Sequence, residues 1–365
     1  MSDNTYLKGR TIVNEHVARI NKERKIIQTK IVNMMERLAV WRSNMKNKTD
    51  CCIVFHDLRN VLRENAFVTE LDFRSMDIIP FSNDALCEVI FYALRDDENV
   101  EKLFLNTDVI SDRGFEYLAN MLANNDTLKY LDMSHISPQK SNRTLRGLIS
   151  GLEKNKSLTH LLLEENCMRD DMCKPIADYL TNNQHLEYLD ISDNRFENGI
   201  HLLMLALNYH DSVLKTLKLN YNKISDQAWH SMSDMLCNNE SINHLHLDYT
   251  SLNDDTLLLI RDGIMKSPSL RYISMIGSEI TCKSIPIIRE ILKNNTNIIC
   301  WDLTSPIDEM LITHLLTVGK VSNDTGDVIK VADRRIRIRL DQDETGRLKK
   351  KKKKTRISFP FYYYY

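Results

Sequence analysis

A repeat with a period of about 28 residues runs from Val68 to Leu303 and limits what this chain can fold into. The three most regular copies read LTHLLLEENCM, LEYLDISDNRF and LKTLKLNYNKI, and they begin at Leu158, Leu186 and Leu214. Nine copies follow one another at steps of 32, 28, 30, 28, 28, 28, 28 and 28 residues. Spacing this constant predicts a solenoid, in which each copy is one structural unit that stacks on the next.

Each copy opens with the pattern L-x-x-L-x-L, which predicts a short strand with one buried face. In one copy we expect Leu189 and Ile191 to point inward and the residues between them to face solvent. Three residues after the last inward position comes Asn194, and Asn166 and Asn222 occupy the same place in the neighbouring copies. A buried asparagine there is expected to bond backbone groups where the chain leaves the strand.

The second half of each copy has the spacing of a helix. Phe115, Leu118 and Met121 fall on one apolar face, and pairs such as Asn124–Asn125 follow the helical pattern. We expect these asparagines to end the helices because asparagine tolerates the left-handed cap conformation. One strand and one helix cannot bury both of their apolar faces alone, so the copies must stack side by side.

This combination resembles the leucine-rich repeats of the ribonuclease-inhibitor-like class, whose copies have 28 or 29 residues and a full helix. The resemblance covers about two thirds of the chain. It implies an α/β fold, a right-handed horseshoe with parallel strands on the concave face and helices on the convex face. It says little about function, because the class serves inhibitors, GTPase activators, actin regulators, ciliary proteins and innate sensors alike.

The repeat divides the chain into four predicted segments. They are a basic, heptad-patterned helical arm at 1–50, a capping helix at 51–67, the repeats with a C-terminal cap at 68–319, and a basic, disordered tail at 320–365. The end copies depart from the pattern, with Met76 at the asparagine position of the first copy and Pro306 in the last. Terminal copies are commonly atypical because they cap the stack.

The N-terminal arm has a period of its own. Its apolar residues recur at steps of seven, at Val13, Ile20, Ile27, Met34 and Trp41, and a second set lies four residues after each. This heptad pattern predicts a coiled-coil helix. Self-association through residues 13–45 is one expectation, and a helix packed on another protein or back on the solenoid is the alternative.

The net charge of −1 hides a strongly uneven distribution. Residues 1–65 carry a net charge of +6 and residues 320–365 one of +8, which leaves 22 basic and 37 acidic residues, a net of −15, between them. An acidic solenoid repels nucleic acid and acidic membranes and attracts basic surfaces. We therefore expect the partner to be another protein with a basic surface.

The C-terminal residues combine a strand pattern with a run of lysines. Arg334 to Leu340 alternates basic and apolar residues, which predicts an edge strand. Lys349 to Lys354 suits a nuclear import signal, a contact with acidic lipid or a docking site for an acidic filament, and the alternative is a translated gene end without a role. With no run of eighteen apolar residues, we expect a cytoplasmic protein, associated with the cytoskeleton or a cilium, and leave the nucleus open.

Outward positions of the predicted strands are the first candidates for a binding site. Tyrosine offers a large contact area at a low cost in conformational entropy, and neighbouring aspartates add charge. The alternative is that any solenoid strand face carries such residues without using them. The candidate partner-binding residues are Tyr130, Asp132, His160, Tyr188, Asp190, His244, His246 and Tyr272.

The chain carries none of the common catalytic motifs, so we expect no enzymatic activity, no cofactor and no small-molecule substrate. His244, His246 and Asp248 alternate along one strand, but the nearby Lys218 would repel a metal ion and we predict no metal site. The predicted function is a non-enzymatic scaffold that binds a partner through the concave face. A GTPase-activating or other regulatory subunit is the alternative, and an innate-sensor fragment or pathogen effector is a third possibility.

Overall fold

The computed structural model describes residues 22, 26, 29, 58–64, 68–74, 84–105, 110–135, 142–208, 212–304, 328–331 and 334–339. Within them, eleven strands form one sheet in the order β1-β2-β3-β4-β5-β6-β7-β8-β9-β11-β10. The strands are β1 Glu70–Asp72, β2 Lys102–Phe104, β3 Tyr130–Asp132, β4 His160–Leu162, β5 Tyr188–Asp190, β6 Thr216–Lys218, β7 His244–His246, β8 Tyr272–Met275, β9 Cys300–Thr304, β10 Val328–Val331 and β11 Arg334–Arg339.

Helices alternate with the first nine strands, which are all parallel to one another. The helices are α1 Asp84–Arg95, α2 Asp112–Asn124, α3 Asn142–Leu152, α4 Cys173–Asn182, α5 Ile200–Leu207, α6 Asp226–Asn238, α7 Asp254–Lys266 and α8 Ile285–Asn294. Short 3-10 turns, Asp170–Met172 and Cys282–Ser284, precede α4 and α8. The α/β repeat predicted from the 28-residue spacing is confirmed, and its right-handed, horseshoe form stays a prediction.

Strand register follows the repeat. Leu161 pairs with Leu131 on one side and with Leu189 on the other, so equivalent residues of successive copies lie side by side. The inward residues of the strands and the apolar faces of the helices form one core, in which Leu189 and Ile191 are buried as expected. Burial of such aliphatic side chains contributes about 1.5–3 kcal/mol each, and it depends on the neighbouring copy being present.

Helix starts are fixed by local polar side chains. The Ser111 hydroxyl accepts a hydrogen bond from the Gly114 amide at 3.0 Å at the start of α2. At α7, Asn253 accepts from the amide of Thr256, and the Thr256 hydroxyl accepts from the amide of Asn253 in return. Each cap satisfies backbone donors that the helix leaves unpaired and contributes about 1 kcal/mol.

Two glycines allow neighbouring helices to approach closely. A Cβ atom on Gly263 of α7 would lie 2.5 Å from the carbonyl oxygen of Ser233 in α6. A Cβ on Gly151 of α3 would lie 2.4 Å from the carbonyl oxygen of Ala119 in α2. Glycine is therefore required at both positions for the helix spacing of the stack.

The strand-exit asparagines join successive copies, as the sequence predicted. The Asn194 side-chain amide donates to the carbonyl oxygens of Leu163 and Ile191, each at 3.0 Å. Its oxygen accepts from the amide of Asn166, and the Asn222 oxygen accepts in turn from the amide of Asn194. These buried bonds replace the strand ladder where each copy turns.

The asparagines at the helix ends act differently from the prediction. Asn125 has φ −95° and ψ 127°, which is extended rather than left-handed backbone, and Asn239 and Asn295 are extended too. The Asn125 amide donates to the carbonyl oxygen of Leu94 in the preceding copy at 2.8 Å, and its oxygen accepts from the Leu128 amide. The left-handed explanation was wrong, because these side chains bond the preceding helix end instead of capping their own.

Left-handed backbone occurs instead at one position just after the strand in successive copies. The residue at this position has a positive φ between 47° and 73° in six copies: His135, Glu165, Asp193, Tyr221, Tyr249 and Gly277. In the first five of these, the amide donates to a carbonyl oxygen of the next copy at 2.7–3.1 Å. We call these six residues the left-handed line. Its backbone conformation is held by bonds between copies and not by the identity of the side chain.

Both ends of the chain extend beyond the predicted repeats. Residues 58–64 are helical, with Leu58 and Leu62 in the core, and the capping role predicted for 51–67 stays a prediction. At the other end, β11 pairs with β9 in parallel and with β10 in antiparallel orientation. Residues 328–331 and 334–339 thus belong to the sheet and not to a disordered tail, and β11 is an inner strand where an edge strand was expected.

The remaining predictions about the ends lie outside the described residues. The lysine run at 349–354 is one of them. The arm at 1–50, with self-association through 13–45, is the other, and only residues 22, 26 and 29 of it are described, as helical. In the part of the chain that is described, no helix is both long enough and apolar enough to cross a membrane.

Candidate functional site

The face of the sheet that points away from the core, which we call the strand face, carries a row of stacked rings. The register places Tyr130, His160 and Tyr188 next to one another on β3, β4 and β5. Ring centroids are 5.8 Å apart between Tyr130 and His160 and 5.3 Å apart between His160 and Tyr188. Phe104 of β2 extends the row, with its centroid 5.1 Å from that of Tyr130. We call Phe104, Tyr130, His160 and Tyr188 the aromatic row.

A cation lies at each end of the aromatic row. The Arg74 guanidinium carbon is 4.2 Å from the centroid of Phe104, and the Lys218 ammonium is 5.3 Å from the centroid of Tyr188. Both distances fall within the range of cation–π attraction. The row is therefore a defined surface of four rings bounded by charge, and Arg74 and Phe104 were absent from the predicted residues.

Asp132 and Asp190 do not face solvent as the strand alternation predicted. Their exposed fractions are 6% and 3%. Asp190 accepts from the amide of Ser192 at 3.1 Å and lies 3.3 Å from the Lys218 ammonium. Asp132 makes the equivalent bonds, with the Ser134 amide and the Arg74 guanidinium. Each aspartate ends a three-residue strand, so its carboxylate bonds the turn that follows and neutralises a cation, and its predicted contact with a partner stays a prediction.

The contact between Tyr188 and Lys218 affects the pKa of both groups. Burial alone would lower the pKa of Lys218, but its bonds to Tyr188 and Asp190 outweigh burial and raise the pKa. The pKa of Tyr188 is raised, mainly by burial, although the Lys218 charge opposes the shift. At neutral pH the ammonium is charged and the phenol is protonated, so this end of the row presents a fixed charge pattern.

A second cluster forms where β7, β8 and β9 meet. The Tyr272 ring centroid is 5.5 Å from that of His244 and 5.0 Å from that of His246. Its hydroxyl donates to an Asp302 carboxylate oxygen at 2.8 Å, and burial together with this bond raises the pKa of Tyr272 to about 12. The structure thus separates the predicted residues into this cluster and the aromatic row, with Thr216 of β6 between them.

The predicted histidines are neutral at physiological pH. Burial lowers the pKa of His160 and of His244, and burial followed by the Lys218 charge lowers the pKa of His246 to about 4. Neutral imidazoles stack readily and add no charge to the face. Titration of these three histidines therefore adds no positive charge to the strand face at neutral pH.

Of His244, His246 and Asp248, which alternate along the sequence, only the two histidines lie within β7. Asp248 is engaged with the next copy, where it accepts from the Ser274 hydroxyl at 2.5 Å and from the Ile276 amide at 2.7 Å. Among the described residues, no group of three histidines, cysteines or carboxylates is placed to hold a metal ion.

Two exposed tyrosines on the left-handed line were missed by the sequence predictions. Tyr221 and Tyr249 stack with their centroids 4.6 Å apart and their planes 8° apart. They lie just beyond the strands, so a search restricted to strand positions passes over them. Their separation of 28 residues, each directly before the strand-exit polar residue, is the signal that would have found them.

Comparisons with known proteins identify distant relatives and no matching family model. The chain is 30% identical over 184 residues to the Mus musculus NACHT, LRR and PYD domains-containing protein 4C, covering 48% of this chain and 18% of that protein. It is also 30% identical over 148 residues to protein 4E of the same series, covering 39% and 15%. With the Homo sapiens protein 13 of this series it shares 24% identity over 302 residues, covering 81% and 28%.

Among solved structures, the chain overlaps with the actin-binding site 2 of leiomodin-1 at 21% identity and a TM-score of 0.33, covering 42% of this chain and 90% of that one. A TM-score this low supports no conclusion about fold or function. The sequence relatives carry leucine-rich repeats in their names, and the chain has parallel strands that alternate with helices. The chain is thus similar to leucine-rich-repeat proteins, and it spans less than a third of the length of the three relatives described.

Proposed function

We propose that this chain is a non-enzymatic protein-binding module that holds a partner protein against the strand face of a leucine-rich-repeat solenoid of the ribonuclease-inhibitor-like class. The aromatic row is the observation that carries this proposal. Four adjacent rings on consecutive strands offer a contact area that a single exposed tyrosine does not. Tyrosine and phenylalanine are among the residues enriched at the centres of protein interfaces.

Preorganisation favours binding at the aromatic row. Its rings already contact one another, and the cations of Arg74 and Lys218 hold the two ends. A partner therefore immobilises few side chains when it docks. Ordering a free side chain at an interface costs about 0.5–1.5 kcal/mol, so rings that are held in advance retain more of their binding free energy.

The charge of the repeat region favours a basic partner. The segment between residues 65 and 320 has a net charge of −15, and the buried aspartates of the strand face are already neutralised by Arg74 and Lys218. The negative charge that acts on a partner therefore comes from the other acidic residues of this segment. Such a field steers association and selects against acidic partners more than it adds affinity.

The relatives agree with a role in protein recognition. Their names combine leucine-rich repeats with NACHT and PYD domains, and this chain covers 15–28% of their lengths. We infer that it corresponds to their repeats and serves as the recognition part. The GTPase-activating alternative and the cytoskeletal or ciliary setting stay predictions from the sequence, and the relatives described do not support them.

The test removes the aromatic row without disturbing the sheet. Tyr130→Thr, His160→Thr and Tyr188→Thr are combined, because Thr216 occupies the equivalent strand position naturally and threonine suits a strand. The matched control replaces three exposed apolar residues on helices by alanine, namely Tyr92, Leu205 and Leu258. Both tagged variants and the intact chain are used as bait in extracts of the source cells, and the proteins retained are compared by quantitative mass spectrometry.

We expect at least one protein to be retained by the intact chain and by the helix-face control and lost from the strand-face variant. That protein is then purified and its Kd for all three chains is measured. An unchanged set of retained proteins, with the strand-face variant folded by circular dichroism, contradicts binding at the aromatic row. Loss of the same protein from the helix-face control alone assigns binding to the helices.

A further inference from the structure

The Tyr221–Tyr249 pair is an exposed aromatic feature outside the aromatic row. The exposed fractions of the two residues are 53% and 49%, although their rings stack closely in parallel. Exposed aromatic pairs of this kind leave apolar area in contact with water. They are common at surfaces that bind a ligand or a protein.

The backbone holds this pair rigidly. Tyr221 and Tyr249 have φ values of 57° and 56°, a region that bulky side chains rarely occupy. The amide of Tyr221 donates to the carbonyl oxygen of Asp248 at 2.8 Å, and that of Tyr249 to the carbonyl oxygen of Ile276 at 2.7 Å. Bonds between copies therefore fix the backbone from which both rings project.

Gly277 supports one side of the pair. A Cβ atom added to Gly277 would lie 2.3 Å from the ring of Tyr249, so this ring lies directly against the Gly277 backbone. Running towards the N-terminus, the order along the left-handed line is therefore Gly277, Tyr249 and Tyr221, followed by Asp193 in the copy that precedes Tyr221. Strands of adjacent copies are about 4.8 Å apart. The Asp193 side chain is much shorter than a tyrosine, so it does not reach as far from the backbone as the Tyr221 ring beside it. We call the position between Tyr221 and Asp193 the step.

Carboxylates surround this step. Asp193 and Glu165 are the next two residues of the left-handed line, and both are exposed. One Glu165 carboxylate oxygen lies 2.6 Å from Nδ1 of His135, and its second oxygen can accept a further bond. The pKa of Tyr221 is raised, first by burial and then by Tyr249, Asp248 and Asp193, which places these groups within electrostatic reach of its hydroxyl. The step thus combines a ring face with negative charge.

We propose that the step between Tyr221 and Asp193 binds an arginine side chain from a basic segment of a partner protein. The guanidinium stacks on the Tyr221 ring and forms ion pairs with Asp193 and Glu165. A carboxylate has about four acceptor positions, so Asp193 accepts this bond in addition to its present interactions. Arginine fits better than lysine because its charged group is planar, weakly hydrated and able to stack. The site uses none of the aromatic row, so it stands independently of the proposed function.

The test measures binding of a defined probe to the full chain by fluorescence anisotropy. The probe is a labelled heptapeptide of alternating glycine and arginine, compared with the same peptide carrying lysine or the neutral analogue citrulline. The variants are Tyr221→Asn, Tyr221→Phe and Asp193→Asn. Asparagine is chosen because it adopts left-handed backbone readily. Tyr92→Ala, at an exposed tyrosine on α1 away from the left-handed line, is the control.

We expect the arginine peptide to bind more tightly than the lysine peptide and much more tightly than the citrulline peptide. Tyr221→Asn should weaken the arginine complex roughly three- to tenfold. Asp193→Asn should weaken it to a similar degree at low salt and less at high salt. Tyr221→Phe and Tyr92→Ala should stay within about twofold of the natural chain because both retain a stacking ring at 221 and the carboxylates at 193 and 165.

Three results would overturn the proposal. Equal binding of arginine and lysine peptides would show only the general attraction of an acidic surface. An unchanged Kd in Tyr221→Asn, with its fold intact by circular dichroism, would remove the ring from the site. Lys349 to Lys354 can also be replaced by glutamine in the full chain. If the peptide binds only to that variant, the chain's own lysine run occupies the step in place of a partner.

Discussion

The side-chain amide of Asn194 donates to the carbonyl oxygen of Leu163 at 3.0 Å, across the boundary between two copies of the repeat. Asn222 repeats the bond one copy later, with the carbonyl oxygen of Ile191 at 2.9 Å. Both asparagines are buried. Because each one satisfies backbone groups of its own copy and of the preceding one, removing it damages two copies at once.

Asn194→Ala should lower the free energy of unfolding by about 2–4 kcal/mol, because it removes a donor from the buried Leu163 carbonyl oxygen and an acceptor from the amides of Asn166 and Met168. Asn182→Ala is the matched control, since Asn182 is exposed and its amide bonds only the carbonyl oxygen of Asp178 within its own helix. The control should change stability by less than about 0.5 kcal/mol. Urea denaturation followed by circular dichroism measures both, and equal effects would contradict the role of Asn194 between copies.

Gly263→Ala should destabilise the protein by about 1–3 kcal/mol, because the new methyl group meets the Ser233 carbonyl oxygen at 2.5 Å and forces α6 and α7 apart. Gly147→Ala offers the opposite case in α3. No atom of the described residues lies within 4 Å of a Cβ placed there, so the helix should gain about 0.5–1 kcal/mol. Thermal unfolding of both variants tests the pair. A stabilised Gly263→Ala would show that the helix contact is looser than the structure has it.

Lys218→Met should cost about 1–3 kcal/mol, since it leaves the buried Asp190 carboxylate without its cation. Lys215→Met removes a comparable pair with Glu187, with nitrogen and oxygen 2.7 Å apart, but that pair is exposed. Its loss should cost less than about 0.5 kcal/mol. Denaturant midpoints for the two variants decide between the effects, and a Lys218→Met protein as stable as Lys215→Met would show that the Asp190 pair contributes little.

The stability of the protein should fall as pH drops from about 6.5 to about 4, in part because of His246. The pKa of this histidine is about 4 in the folded chain, mainly because of burial, and near 6.5 in the unfolded chain. Over that range the unfolded chain takes up a proton that the folded chain does not, so acid favours unfolding. The contribution is at most about 3 kcal/mol. His246→Gln should therefore lose less stability between pH 7 and pH 4, and parallel losses in both proteins would contradict the buried, neutral histidine.

The periodic features of this fold could be predicted from the sequence. Repeated spacing located the strands, because equivalent residues such as Leu161 and Leu189 must lie side by side in a stack. The buried asparagine at the strand exit followed from the same reasoning, since a turn leaves backbone groups that need partners. Both predictions depend on short sequence patterns that recur from copy to copy.

Other features could not be read from those patterns. Alternation along a strand predicts that Asp190 faces solvent. Asp190 is the last residue of its strand, however, and its carboxylate bonds the following turn and Lys218. The contact between Arg74 and Phe104 joins the turn after β1 to a different copy, so no pattern within one copy contains it. Likewise, Tyr221 and Tyr249 lie outside the helical and strand patterns that were searched.

The left-handed line gives this protein a way to change its binding preference with few substitutions. At one backbone geometry the copies already carry histidine, glutamate, aspartate, tyrosine and glycine. A non-glycine residue there carries a conformational cost of about 1–2 kcal/mol, less for aspartate and asparagine, and the bonds between copies outweigh it in each case. The side chain is therefore exchangeable within that range of stability, and a single substitution in one copy alters one element of an evenly spaced array. New recognition can arise at this edge while the hydrophobic core stays untouched.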